Sequence, residues 1–247
     1  MRKKLRNRLT VILIMLSFLV ISSISITVIF ALTQQNVTTE VDVEYYPSVL
    51  LESFSFLENS DGTVTISSFD EKNYEGSLVV PKTYNGKPVT SIGDSAFSEC
   101  TGLTSVEIPD SVTYIGGWAF FGCVLLNTVE LPNGIKSIKV HTFHGCTKLT
   151  NLTIPSSLIS IESYAFLSSG ITSVIIPDSV TSIGVEAFRY CYDLTSVTFN
   201  NTNGWFVSKD STATSGTDLS SSDLANTSTA VTYLRSTYYD YYWKRAN

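Results

Sequence analysis

Four cysteines are the residues of this 247-residue chain best suited to covalent or metal chemistry, and they recur at related spacings. They are Cys100, Cys123, Cys146 and Cys191. If these positions lie on neighbouring chain segments about 4.8 Å apart, a disulfide is possible, because bonded cysteines have Cα atoms about 4.4–6.8 Å apart. Cys191 would lack a neighbouring partner, since Ser169 stands in the intervening position. A row of small, buried, reduced thiols is therefore the simpler interpretation.

His141 and His144 are the only histidines, and their spacing of three residues is compatible with a metal site. The residues 23 positions before and after each of them are aromatic or aliphatic, with no further histidine or carboxylate. Positions that vary this freely are expected at the surface. We therefore predict no metal and no cofactor.

One short segment resembles a catalytic motif. Gly93-Asp94-Ser95 matches the nucleophile motif of one lipase class, but those enzymes need a D-x-x-H segment for the base, and neither histidine has an aspartate three residues before it. The chain also lacks a glycine-rich phosphate loop, HExxH and GxSxG. We predict that the protein is not an enzyme.

An internal repeat over residues 89–199 explains these spacings. Phenylalanine recurs at steps of 23, 23, 23 and 22 residues, and isoleucine and proline recur with it. The phenylalanines are Phe97, Phe120, Phe143, Phe166 and Phe188. Five units with one period predict a repeat solenoid of about five coils of 22–23 residues.

The pattern L-x-x-V-x-I/L in each unit predicts the structure of one coil. The V-x-I step has a period of two, which indicates a short strand with one buried face. A following proline ends the strand because it has no N–H to donate. The phenylalanine then sits in a short helical or 3₁₀ turn and points inward. The predicted fold is thus mostly β, and stacked coils enclose the apolar side chains that one coil cannot.

The unit CTGLTSVEIPDSVTYIGGWAFFG, residues 100–122, resembles the BspA-type leucine-rich repeat of bacterial cell-surface proteins, AFxxCxxLxxVxIPxxVxxIGxxAF. The resemblance extends from Val89 to Phe199. Residues 54–88 and 200–247 resemble the flanking segments of such arrays, and we expect them to cap the open ends. The resemblance implies a leucine-rich repeat fold and a role in adhesion or ligand binding.

The N-terminus predicts export. Five basic residues lie in residues 1–10, and residues 11–32 are predominantly apolar. As a helix, this run would be about 33 Å long, enough to cross a hydrocarbon core of about 30 Å. We predict a transmembrane anchor or a signal peptide, with residues 1–10 cytoplasmic and the C-terminal body outside. The body would be held at the plasma membrane or, after cleavage, secreted. Residues 33–53 are interpreted as a spacer.

The exported body is acidic. Beyond residue 32 it carries 11 basic and 22 acidic residues. Such a body repels the phosphate backbone, so we predict no nucleic-acid partner. An extracellular protein or glycan is the expected ligand.

A candidate binding surface, the aromatic strip, joins the positions two before and one after the repeat phenylalanine in three successive coils. Because these positions are three residues apart, they lie on one side of the turn, and coil stacking aligns them. The strip consists of Trp118, Phe121, His141, His144, Tyr164 and Leu167. Exposed aromatic surface is typical of interfaces. In the alternative arrangement, Phe121 and Leu167 turn inward and leave isolated aromatic side chains.

A second candidate, the strand face, is the outward side of the strands. Its residues are Glu107, Glu130, Asn151 and Thr153. Solenoid sheets commonly bind ligands, but small polar residues are equally expected on a solvated face. The sequence thus favours a surface binding module. The alternative is a structural envelope or spacer protein without a specific ligand.

Overall fold

The structure of the protein is a computed structural model. The residues that it describes are 26–28, 41–43, 51–150 and 152–246. The chain divides into two compact units, residues 1–48 and residues 49–247.

The described part of the first unit is an antiparallel pair of short strands, β1 (Ile26–Val28) and β2 (Val41–Val43). The basic segment 1–10 lies outside the described residues, as does most of the predicted membrane or signal helix over residues 11–32. At Ile26–Val28 the structure has a strand where a helix was predicted. Ile-Thr-Val contains only β-branched residues, which favour strands. Among the described residues, no helix has the length and apolarity needed to cross a membrane.

The second unit is a solenoid with short strands and little helix. The strands that precede the predicted array are β3 (Phe54–Glu58), β4 (Val64–Phe69), β5 (Gly76–Val79), β6 (Thr83–Tyr84) and β7 (Lys87–Ile92). Those of the array are β8 (Leu103–Glu107), β9 (Tyr114–Ile115), β10 (Thr128–Glu130), β11 (Ser137–Ile138), β12 (Ser160–Ile161), β13 (Ser173–Ile176), β14 (Ser182–Ile183) and β15 (Ser196–Phe199). The C-terminal segment contains β16 (Trp205–Ser208), β17 (Thr217–Asp218), α1 (Ser221–Ala225), α2 (Thr227–Thr232), a π-helical turn (Tyr233–Thr237) and β18 (Tyr242–Arg245).

The V-x-I segments form parallel ladders. Val106 in β8 lies opposite Val129 in β10, and Val174 in β13 lies opposite Val197 in β15. These valines are buried, as the period of two predicts. Parallel pairing in register between successive repeats confirms the solenoid.

The stack has about six coils rather than about five. The additional coil comes from residues 54–88, since β5 pairs in parallel with β8 and places Leu78 opposite Val106. Phe69 of this coil packs against Phe97 with ring centroids 5.7 Å apart. The repeat count missed it because Phe69 precedes Phe97 by 28 residues and has no alanine before it.

One predicted strand is absent. Residues 152–154 form no strand, although Leu152 and Ile154 are both buried and keep the core continuous. The ladder is therefore divided into two sheets, β10-β8-β5 and β13-β15. Asn151, which precedes this segment, is of a type depleted in strands, but Thr153 and Ile154 are of types that favour them, so local propensity alone does not account for the missing strand.

The Ser-Ile pairs after the prolines form a second parallel ladder. Ile138 lies opposite Ile161, and Ile161 lies opposite Ile183. Ile92 and Ile115 pair in the same way in the earlier coils. This ladder leads directly into the turns that carry the repeat phenylalanines.

The interior is filled by a phenylalanine ladder. Phe97 stacks on Phe120 with centroids 5.2 Å apart and an interplanar angle of 3°, and Phe120 stacks on Phe143 at 5.5 Å and 2°. Phe166 and Phe188 continue the ladder. All five rings are fully buried, which confirms the predicted core column.

Both ends of the stack are closed. At the first end β3 pairs antiparallel with β4, and Phe54 packs on Phe69 with centroids 5.0 Å apart. At the last end β18 pairs antiparallel with β14, and buried Trp243 stacks on Phe199 at 6.0 Å. These contacts cover apolar side chains at both ends of the stack.

Candidate functional site

Backbone hydrogen bonds in the turns set the spacing of the aromatic strip. The N–H of Trp118 donates to the carbonyl oxygen of Val140 at 2.9 Å, and that of Phe120 donates to Thr142 at 3.0 Å. Between these bonds to the next coil, the N–H of Phe121 closes a 3₁₀-type bond to Trp118 at 3.0 Å. Each turn is thus held in register with the next, and equivalent side chains align.

The first position of the strip has a left-handed backbone in every coil of the array. The φ angle is +55° at Trp118 and His141 and +61° at Tyr164, and the equivalent residues Ser95 and Glu186 have +59° and +56°. A residue with a Cβ is disfavoured there by roughly 1–2 kcal/mol, and glycine is the usual occupant. The sequence does not reveal this conformation, because none of the five residues is glycine or asparagine. Large rings at such positions motivate a functional interpretation.

Three side chains of the strip form a continuous stack at the surface. The rings of Trp118 and His141 lie 5.1 Å apart at 20°, and those of His141 and Tyr164 lie 4.7 Å apart at 3°. Trp118 is 40% exposed, so the stack is not part of the core.

The second row of the strip lies beside this stack. The ring of Phe121 meets that of His144 edge to face, with centroids 4.9 Å apart at 89°. Phe121, His144 and Leu167 are all half-buried. Ring contacts thus join the five aromatic side chains of the strip, which are not isolated from one another, and Leu167 is half-buried at the equivalent position of the next coil.

A hydrogen bond of 2.9 Å joins Nδ1 of His141 to Nδ1 of His144. The ring centroids are 5.1 Å apart at 28°, so the facing nitrogens lie between the centroids and the rings meet edge to edge. One Nδ1 must carry the proton and the other must accept it. Burial lowers the pKa of His141, and burial together with the neighbouring His141 lowers the pKa of His144. A lowered pKa favours the neutral form of both rings.

This pair is poorly arranged for a metal ion. The two Nδ1 lone-pair directions point toward each other rather than toward a common outer point. Among residues 51–150 and 152–246, no group of three or more histidine, cysteine, aspartate or glutamate side chains is placed to hold a metal.

The four cysteines form a row of free, buried thiols, as predicted. The thiol of Cys123 donates to the carbonyl oxygen of Phe97 at 3.1 Å, and that of Cys146 donates to Phe120 at 3.1 Å. Desolvation raises the pKa of Cys123 to about 12. The reactive thiolate is therefore scarce at neutral pH, and the thiols serve packing rather than chemistry.

The Gly-Asp-Ser segment connects coils. Oδ1 of Asp94 accepts the N–H of Gly117 in the next coil at 2.8 Å.

The strand face is less continuous than the sequence suggested. Glu107 and Glu130 are neighbours in the β8–β10 register and are exposed. Thr153 is exposed in the coil that lacks a strand, and Asn151 lies outside the described residues. The expected single sheet is interrupted at this coil.

Sequence reasoning missed a tyrosine patch around Arg189 in the coil after the strip. The guanidinium of Arg189 lies 4.5 Å from the ring centroid of Tyr190 and 4.3 Å from that of Tyr239, and it forms a 2.8 Å ion pair with Glu186. Tyr192 is 72% exposed, with its ring 5.9 Å from that of Tyr190. Glu186 and Arg189 are the residues that correspond to Tyr164 and Leu167 in the next coil. Because both are charged, nothing in the sequence indicated that the aromatic surface extends to this coil. Tyr239 could not be placed here from the sequence, because it belongs to the distant C-terminal segment.

Comparison with known sequences identifies the family. The chain matches the BspA type leucine rich repeat region in six copies, over residues 67–195 and 119–234. The chain belongs to this family of leucine-rich repeat proteins. No curated protein matches it.

Solved structures agree with this assignment. A leucine-rich repeat protein from Bacteroides ovatus is 34% identical over 59% of this chain and 39% of its own length, with a TM-score of 0.55. A leucine-rich repeat protein from T. pallidum is 36% identical over 59% of this chain and 68% of its own, with a TM-score of 0.56. The chain thus spans about two fifths of the length of the Bacteroides ovatus protein.

Proposed function

We propose that this protein is a non-enzymatic, extracellular binding module, either tethered to the plasma membrane or secreted, that uses the aromatic strip to hold a protein ligand. The observation that carries the proposal is the stack of Trp118, His141 and Tyr164 at the surface. Interface hot spots are enriched in aromatic residues and often contribute about 2 kcal/mol or more each. Three stacked rings on one scaffold provide a rigid cluster of this kind.

The stacking geometry favours a protein over a glycan at the strip. Sugars usually pack on an open aromatic face. Both faces of His141 are covered, one by Trp118 and the other by Tyr164, so the inner part of the stack presents ring edges. Ring edges suit the apolar and carbonyl groups of a polypeptide. A glycan is the expected ligand for a more exposed ring such as that of Tyr192.

Export of the binding domain is part of the proposal and is supported by the order of segments in the sequence. Basic residues precede the apolar run of residues 11–32, and residues 33–71 contain no Lys or Arg. This charge asymmetry favours a cytoplasmic N-terminus and an external body.

A screen followed by paired variants tests the proposal. The full chain is first probed against arrays of extracellular proteins and glycans. The double variant Trp118→Ser with Tyr164→Ser is then compared with the parent on any ligand found. Serine is suitable because Ser95 occupies the same column with φ +59°, so the circular dichroism spectrum should not change. We expect affinity to fall at least about tenfold, equivalent to about 1.4 kcal/mol.

The matched control is Glu107→Ser with Glu130→Ser on the strand face. We expect a smaller effect there that weakens at high salt, because exposed charges are screened. If this control abolishes binding and the aromatic variant does not, the ligand binds to the strand face. If no saturable ligand is found, the alternative of a structural spacer is favoured instead.

A further inference from the structure

The aromatic strip contains, at its centre, the only two histidines of the chain, bonded to each other. No other side chains of the strip change charge near neutral pH. We propose that His141 and His144 share one hydrogen-bonding proton and act as a switch that turns the centre of the strip from neutral to cationic on acidification. The switch changes the charge of this surface whichever ligand binds there.

The proton count of the pair defines two steps. In the neutral pair, one ring donates through Nδ1–H and keeps a free lone pair on Nε2, while the other accepts at Nδ1 and carries its proton on Nε2. A first proton from solvent binds the free Nε2 and leaves the Nδ1–Nδ1 bond intact, now as a charge-assisted bond. A second proton has only the accepting Nδ1 to bind. That step breaks the hydrogen bond and places two N–H groups face to face, so the rings must separate.

The aromatic rings around the pair favour a positive charge on His141 after the first protonation. Trp118 and Phe121 pack on the pair from the preceding coil, and Tyr164 packs on it from the following one. A cation on His141 lies between the faces of an indole and a phenol, an arrangement that is attractive for positive charge.

An ion pair lies in the turns that carry and follow the two histidines. Lys139, two residues before His141, forms a 2.9 Å ion pair with Glu162 of the next coil. The ring of Tyr164 is in direct contact with that of His141. Burial is the main reason why the pKa values of His141 and His144 are lowered, and no carboxylate contributes to either shift. Protonation of the pair therefore adds net charge to the strip rather than completing an existing ion pair.

The histidine count makes the test direct. Selective ¹⁵N-histidine labelling of the full chain yields signals from two imidazoles only. At neutral pH we expect one ring as the Nδ1–H tautomer and the other as the Nε2–H tautomer, with a scalar coupling across the N–H···N bond. On acidification, two linked steps should appear, both below about pH 6.5, the ordinary histidine value. The coupling should survive the first step and vanish in the second.

Two single variants complete the experiment. His144→Leu uses the residue found at Leu167 in the same column, and His141→Ser uses the residue found at Ser95. In each variant the remaining histidine should titrate in one step and adopt the common Nε2–H tautomer. Phe121→Leu is the matched control, which should keep the tautomer pair and both steps. Two Nε2–H rings in the parent protein, titrating independently near pH 6.5, would overturn the proposal even if a variant failed to fold.

Discussion

The phenylalanine ladder and the aromatic strip are built by the same turns, two residues apart, yet they differ in almost every other respect. Phe120 and Phe143 stack at 5.5 Å and 2°, and His141 and Tyr164 stack at 4.7 Å and 3°. The first pair is fully buried, and the second is half-buried. Similar stacking geometry therefore arises from the coil repeat itself, independently of burial.

The two rows differ in the range of residue types that each accepts. The interior row holds phenylalanine in every coil, because a smaller side chain would leave a cavity that the stacked coils cannot close. The surface row holds serine, tryptophan, histidine, tyrosine and glutamate in successive coils, all with a left-handed backbone. Stability depends on the first row, and the second is free to carry function.

The largest effect should come from the interior row. Phe143→Ala should lower the free energy of unfolding by about 3–5 kcal/mol, the usual loss for a buried aromatic ring. Tyr164→Ser in the surface row should lower it by less than about 1 kcal/mol, because solvent already reaches that ring. Urea denaturation of the full chain measures both. Equal losses for the two variants would show that the strip is structural.

A smaller effect should appear as a dependence of stability on pH. Both histidines have a lowered pKa in the folded protein, so the unfolded chain binds their protons more readily. Their neutral forms therefore oppose unfolding fully above about pH 6.5, and the free energy of unfolding falls as the pH drops below that value. His144→Leu should flatten the slope between about pH 6.5 and 5, the range above most carboxylate titration. An unchanged slope in denaturation curves would contradict this prediction.

The smallest effect tests the backbone of the surface row. Ser95 has φ +59° and is exposed, so Ser95→Gly removes left-handed strain without removing a ring. The relief of roughly 1–2 kcal/mol is partly offset by the greater freedom of glycine in the unfolded chain, about 0.5–1 kcal/mol. We expect a net gain of at most about 1 kcal/mol, seen in scanning calorimetry as a rise in Tm of about 2–4 °C. Ser98→Gly, at a position without positive φ, should instead lower the Tm.

The array could be predicted from sequence because its signals are periodic and local. Phe97 to Phe188, the V-x-I steps and the prolines share one register, and each column has a simple role in a coil. The first coil was not predicted, because Phe69 does not fit the repeat period. The strand predicted at residues 152–154 was wrong, because its formation depends on pairing with the neighbouring coils. The aromatic strip was predicted as a surface, since coil stacking converts a column in the sequence into a row in space.

The sequence by itself determined which side chains share a column: the phenylalanines inside, the thiols beside them and the rings of the strip outside. Periodicity is enough for this, because each coil repeats the path of the last. Only the tertiary structure decided how the members of a column meet. The left-handed φ at Trp118, the Nδ1–Nδ1 bond between the two histidines and the approach of Tyr239 to Arg189 depend on distances between atoms of different turns or segments. No spacing along the chain encodes those distances, because they arise from the packing of coils and of the C-terminal cap.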